Sequence, residues 1–116
     1  MAKVLGFHRI ELKPGVDEQE FERLFNGSFV PLYHQADARQ SATLMKGERG
    51  ERAGKYALLI EIESPEARDA IYPGEGRLSA AFQQVVDANG GLIEKLGALV
   101  ERFPDDLYTD YVVIGG

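Results

Sequence analysis

The sequence predicts an α+β fold: a four-stranded antiparallel sheet with helices on one face. Three observations carry that expectation. Lys55–Glu63, KYALLIEIE, is the most strand-like run of the chain, and its centre, Ala57 to Ile60, is apolar on both alternating faces. A strand with one wet face alternates instead, so this one is expected to be central and covered on both sides. A second strand-like run, residues 41–48, precedes it across the charged, Gly-punctuated turn Gly47–Gly54, as in a long hairpin. Apolar residues at helical spacing lie on either side of this hairpin, and each helical region is flanked by a further strand pattern.

In chain order, residues 3–12 alternate as the first strand. Val4, Gly6, His8, Ile10 and Leu12 share one face, and Leu5, Phe7, Arg9 and Glu11 the other. Lys13-Pro14-Gly15 stops the strand. Asp17 is placed to cap a helix with Glu18 and Glu20 in its first turn. Phe21, Leu24, Phe25, Phe29 and Leu32 continue at helical spacing, interrupted by Asn26-Gly27-Ser28 and Pro31. A mid-helix proline collides with the carbonyl four residues back, so a break or bulge is expected between Asn26 and Pro31.

Ser64-Pro65-Glu66 opens a short helix running to about Tyr72, with Ser as cap and Pro in the first turn. A longer helical pattern carries Leu78, Ala81, Phe82, Val85 and Ala88 on one face. Asn89-Gly90-Gly91 interrupts it before Leu92, Leu96, Leu99 and Val100. Phe103-Pro104-Asp105-Asp106 breaks the chain again, and Leu107–Ile114 reads as the last strand. The resulting order, strand, helix, strand, strand, helices, strand, is the split βαβ pattern, with an expected strand order of 4-1-3-2.

Composition narrows the function classes. The 116 residues predict a single domain, 1–116, and 44% hydrophobic residues are enough for a core. With no Cys there is no disulfide, thiolate zinc site or Cys nucleophile. A net charge of −6 argues against binding nucleic-acid backbones. No apolar run approaches the roughly 20 residues of a membrane helix. The opening MAKVLGFHRIEL lacks the continuous apolar stretch of a secretory leader, so a soluble, cytoplasmic protein is expected.

With this order go three strings: FHRIELKPGVDEQEFERLF, the hairpin KGERGERAGKYALLIEIES running into a Ser-Pro helix, and the closing TDYVVIG. Together they resemble the dimeric α+β barrel superfamily over nearly the whole chain. The resemblance implies two ferredoxin-like subunits that face their sheets across a two-fold axis to form a barrel. Members include cofactor-independent monooxygenases, haem-degrading enzymes, muconolactone isomerase and many proteins of no known activity. Haem-degrading members set Asn, Trp and His around the pocket, and polyketide monooxygenases place a Trp in theirs. This sequence has no Trp and departs from both patterns. The resemblance further implies a homodimer that holds a small hydrophobic molecule between sheet and helices, with no cofactor required.

Several residues are candidates for chemistry. His8 shares its face with Val4, Ile10 and Leu12, so it points at the helices as a pocket base or a haem ligand; the structural alternative is a half-buried His bonded to a carbonyl or a Tyr hydroxyl. His34 falls off the apolar face of its helix and reads as a surface residue. Strand and helix rises place the two histidines around 10 Å apart in level, too far to share one metal, and no metal site is expected. Tyr33, Tyr56, Tyr72 and Tyr111 offer hydroxyls to a ligand or serve as amphipathic walls. Gly74-Glu75-Gly76-Arg77 lacks phosphate-loop spacing, and the mixed-sign run Glu48–Arg52 reads as a solvated hairpin tip. Glu61/Glu63 and Asp105-Asp106 form no recognisable metal or acid–base pair.

The expected protein is thus a homodimer binding, and in one reading oxygenating or isomerising, a small hydrophobic molecule. His8 is the expected acid–base residue and Tyr33 the orienting donor; Phe25, Phe29, Tyr56 and Tyr72 are the expected ligand contacts. A non-catalytic dimerisation or ligand-sensing module and a haem-binding protein are the alternatives, and the residues leave open whether it is an enzyme.

Overall fold

The computed structural model describes residues 2–74, 76–101 and 108–115. Its sheet contains β1 (Val4–Ile10), β2 (Gln40–Lys46), β3 (Tyr56–Ile62) and β4 (Tyr108–Val112). All three pairings are antiparallel, in the order β2-β3-β1-β4, which is 4-1-3-2 read from the β4 edge. The break at Phe103–Asp106 and the start of the last strand at Leu107 lie outside the described residues.

The period-two pattern of β3 sorts its side chains cleanly. Tyr56, Leu58, Ile60 and Ile62 are buried under the helices, whereas Ala57, Leu59 and Glu61 are half-buried on the opposite face. Register carries the split to β1, where Val4 opposes Ile62 and His8 opposes Leu58 on the helix side. Among the described residues of one chain, β3 is central in the sheet but covered by helices on one face alone.

The hairpin between β2 and β3 depends on a close approach at Gly47. A Cβ there would lie 2.0 Å from the Arg52 carbonyl oxygen, so no larger residue fits this backbone. Its charged run is less free than a solvated tip. Arg52 reaches back to the Glu11 carboxylate at 2.7 Å and donates to the Tyr56 carbonyl at 3.0 Å. The Arg52 hydrogen bond in turn holds the Glu11 carboxyl below its ordinary range.

Asp17 caps α1 (Glu18–Leu24) by accepting from the Gln19 and Glu20 amides. The expected interruption is a widened turn that the chain winds through without stopping. Phe25–Phe29 is a π segment that leads directly into α2 (Val30–Ala36). The Val30 amide donates to Phe25 O, five residues back, and Pro31 falls in the first turn of α2, where its missing N–H costs little. The extra residue keeps Phe21, Phe25, Phe29 and Leu32 all facing the sheet. Their rings run as a ladder, with Phe21–Phe25 centroids 5.2 Å apart and Phe25–Phe29 centroids 5.0 Å apart. Pro31→Ala is therefore expected to leave stability within about 0.5 kcal/mol of the wild type in urea unfolding. A loss above about 1 kcal/mol would mean that the proline itself holds the π turn in place.

Ser64 caps α3 (Pro65–Ile71), accepting from the Ala67 amide at 3.1 Å, and Ser79 caps α4 (Ala80–Ala88) through the Phe82 amide at 3.2 Å. The interruption expected over Asn89-Gly90-Gly91 narrows to Asn89, because Gly90 already belongs to α5 (Gly90–Gly97). Ala67, Ile71, Phe82 and Leu96 join the phenylalanine ladder over the sheet to close the core. Among the described residues, no helix is long and apolar enough to cross a membrane.

Candidate functional site

The helices do not fill the space above the sheet. A cavity of about 740 Å³ lies between them and the faces of β1 and β3. That size falls in the range of pockets for drug-sized molecules. Leu58 and Ile60 form part of its floor, and Phe25, Phe29, Leu32 and Phe82 form part of its roof. Large aromatic side chains on the π segment, α2 and α4 hold the layers apart, and their rings meet edge-on across the cavity wall. Phe29–Tyr33 centroids are 5.4 Å apart and Tyr33–Phe82 centroids 5.5 Å apart.

Polar groups gather on the β1–β4 side. His8 lines the cavity from β1, with its ring stacked on Tyr108 at 5.0 Å and 11°. Asp110 comes from β4, directly opposite Gly6 in the register. A Cβ on Gly6 would lie 2.8 Å from Asp110 Oδ1 and 3.4 Å from His8 Nε2, so carboxylate and imidazole converge over bare backbone. From α3, Arg68 reaches Asp110 Oδ2 at 3.7 Å and Asp69 Oδ1 at 3.2 Å. Arg77, in the segment before α4, adds a further cation to the lining.

Tyr33 and Tyr72 sit beside a second polar centre, Gln40, which is only 2% exposed. Its side-chain amide donates to the Tyr33 carbonyl at 2.8 Å and its Oε1 accepts from the Tyr72 hydroxyl at 2.9 Å. The backbone carbonyl of Gln40 lies 3.0 Å from His34 Nδ1, so the His34 ring bonds at the start of β2 and its residue is not part of the cavity lining. The structure thus brings His8, Tyr33, Phe25, Phe29 and Tyr72 to one cavity. It does not bring Tyr56 there: that residue is buried against Phe21, with its hydroxyl donating to the Glu22 carboxylate.

Arg68, Asp69, Asp110, Tyr108 and Phe82 are lining residues that the sequence reading did not single out as site residues. Asp110 left one signal, a carboxylate in the middle of the strand pattern YTDYVV. Arg68 and Asp69 left none, since a short, mixed helix does not announce which side faces a cavity.

Burial sets the ionisation of the two hydroxyls that hold other elements. It pushes Tyr56 up to about 12, with the Glu22 hydrogen bond acting the same way, and pushes Tyr72 up as well. Both folded values are raised, so the neutral phenols stabilise the fold fully below the unfolded value of 10.0, and that stabilisation is lost as pH rises through the folded values. Urea midpoints should fall between pH 10 and about 12, and Tyr56→Phe should flatten that fall. Tyr72→Phe should cost about 1–3 kcal/mol at neutral pH, because it orphans the buried Gln40 oxygen.

Such a cavity defines a class: an α+β protein, compatible with the ferredoxin-like fold, with an apolar, partly open cavity under its helices and a carboxylate, an imidazole and a guanidinium grouped at one side. Among the described residues no group of three His, Asp or Glu is placed to hold a metal ion. No protein-family model matches this chain, and no curated protein matches it either.

Proposed function

We propose that this protein binds a small hydrophobic molecule in the cavity between sheet and helices, with His8 as the acid–base residue and Tyr33 orienting the ligand. What supports this reading is the cavity itself, about 740 Å³ and walled mainly by apolar side chains, with the His8 imidazole at its border. An apolar chamber with a few convergent polar groups is the usual form of a small-molecule site. The same geometry suits cofactor-free proton transfer or oxygenation at the end of the ligand nearest His8. A neutral solvatochromic dye such as Nile red tests the reading directly. Saturable, stoichiometric binding is expected, and its absence would remove the ligand-binding role. Haem titration separates the haem-binding alternative: a Soret shift lost in His8→Ala and kept in His34→Ala would favour it.

The reading includes a homodimer in which two sheets pack face to face. Its support is the uncovered side of the sheet, where Leu5, Ala57 and Leu59 are half-buried and Phe7, Tyr111 and Val113 are 37%, 56% and 38% exposed. Phe7 and Tyr111 already meet edge-on at 5.7 Å. A patch of this kind fits a second copy of the same surface, and stable interfaces bury about 800 Å² per partner.

A further inference from the structure

We propose that Asp110 is the positioning residue that aligns His8 and strengthens it as a base, and that the site takes a neutral, hydrophobic ligand whose head is a phenol or an enolisable ketone. The inference rests on the reading of the cavity as a ligand site and deepens it. Three observations place Asp110 in this role. Its two oxygens are divided: Oδ2 faces Arg68 at 3.7 Å, and Oδ1 lies over Gly6, where His8 Nε2 also lies. Gly6 leaves the room for that convergence, since the β1–β4 register puts it opposite Asp110 and any Cβ would intrude at 2.8 Å. Tyr108, stacked on the imidazole, fixes the plane of the ring.

The charges around His8 select the ligand head. Asp110 on β4 is offset by Arg68 on α3, with Asp69 and Arg77 further charged residues of the cavity lining, and Tyr108 lies against the imidazole. A carboxylate head would bring a second anion beside Asp110, the carboxylate that converges with His8 over Gly6. A neutral head with an acidic O–H, or a C–H next to a carbonyl, meets no such penalty. The proton passes from that group to a nitrogen of His8, leaving a phenolate or enolate on the ligand and an imidazolium facing the Asp110 carboxylate. For an enolate, return of the proton to the opposite face of the same carbon, or to the far carbon of a conjugated dienolate, completes an isomerisation that needs no oxidant or reductant.

The test uses the full chain and 4-nitrophenol, whose ionised form is yellow, at a pH where the free probe is mostly neutral. Wild-type protein is expected to bind it saturably and to raise its ionised fraction. Asp110→Asn should lower the ratio of ionised to neutral bound probe about tenfold, the effect of removing one nearby opposite charge. The melting temperature should stay close to that of the wild type, whereas it would fall if Asp110 only shaped the fold. Gly6→Ala keeps the charge but displaces the flexible end of Asp110, and should lower the same ratio by a smaller factor. An ionised fraction unchanged in Asp110→Asn overturns the role of Asp110. Failure of nitrophenol to bind where Nile red does overturns the ligand class and leaves the cavity reading standing. Failure of both probes overturns the cavity reading itself.

Discussion

Val86→Trp is expected to abolish ligand binding while leaving the fold intact. Val86 is a half-buried residue on α4 that lines the cavity. In a close-packed core the added indole would force strain costing about 1–3 kcal/mol. Here it has about 740 Å³ of open space to enter, so the penalty is replaced by new contacts with the phenylalanine roof. Nile red affinity should fall more than about tenfold, equivalent to about 1.4 kcal/mol or more of lost binding. The melting temperature should stay level or rise. Undiminished binding would place the dye elsewhere, with the uncovered sheet face as the next surface to probe. A large loss of stability would mean that the helices close on the sheet in solution.

Leu59→Glu is expected to turn a dimer into a monomer. Leu59 lies on the uncovered face, paired across the sheet with Phe7 of β1 and Thr43 of β2. In the proposed sheet-to-sheet arrangement it would meet the partner, and a carboxylate there would be buried without a counter-ion, at a cost of several kcal/mol. Sedimentation of the wild type at micromolar concentration should give about twice the chain mass, and of the variant about one chain mass. A wild type that sediments as a monomer would remove the dimer and leave this face as a solvated surface. Because the cavity is on the opposite side of the sheet, a monomeric variant should retain dye binding. Loss of both together would point to a site that depends on the partner.

How much of this is legible in the sequence differs from residue to residue. The faces of β1 and β3 follow from a period of two, which needs no knowledge of the neighbours: His8, Leu58 and Ile60 had to share a side once the strands paired in register. Asp17 and Ser64 were recognisable as caps because a cap is satisfied within three residues along the chain. Pro31 announced an irregularity, but its form, a π segment, was set by the need to keep Phe25 and Phe29 on the sheet.

Tyr56 marks the limit. It shares the face of Leu58, so its phase is that of a cavity residue, yet Phe21 and Glu22 on α1 claim its ring and hydroxyl. Only the packing of α1 across β3 decides that. The cluster of His8, Asp110 and Arg68 is the same kind of fact on a larger scale. Its members come from β1, β4 and α3, and lie up to about a hundred residues apart in the chain. Local propensity and periodicity act over one or two turns of chain, so the sequence by itself determined the elements, their caps and their buried faces. Which polar side chains meet over Gly6, and that the helices stand off the sheet far enough to leave a cavity, depended on strand register and helix packing, which the tertiary structure alone decided.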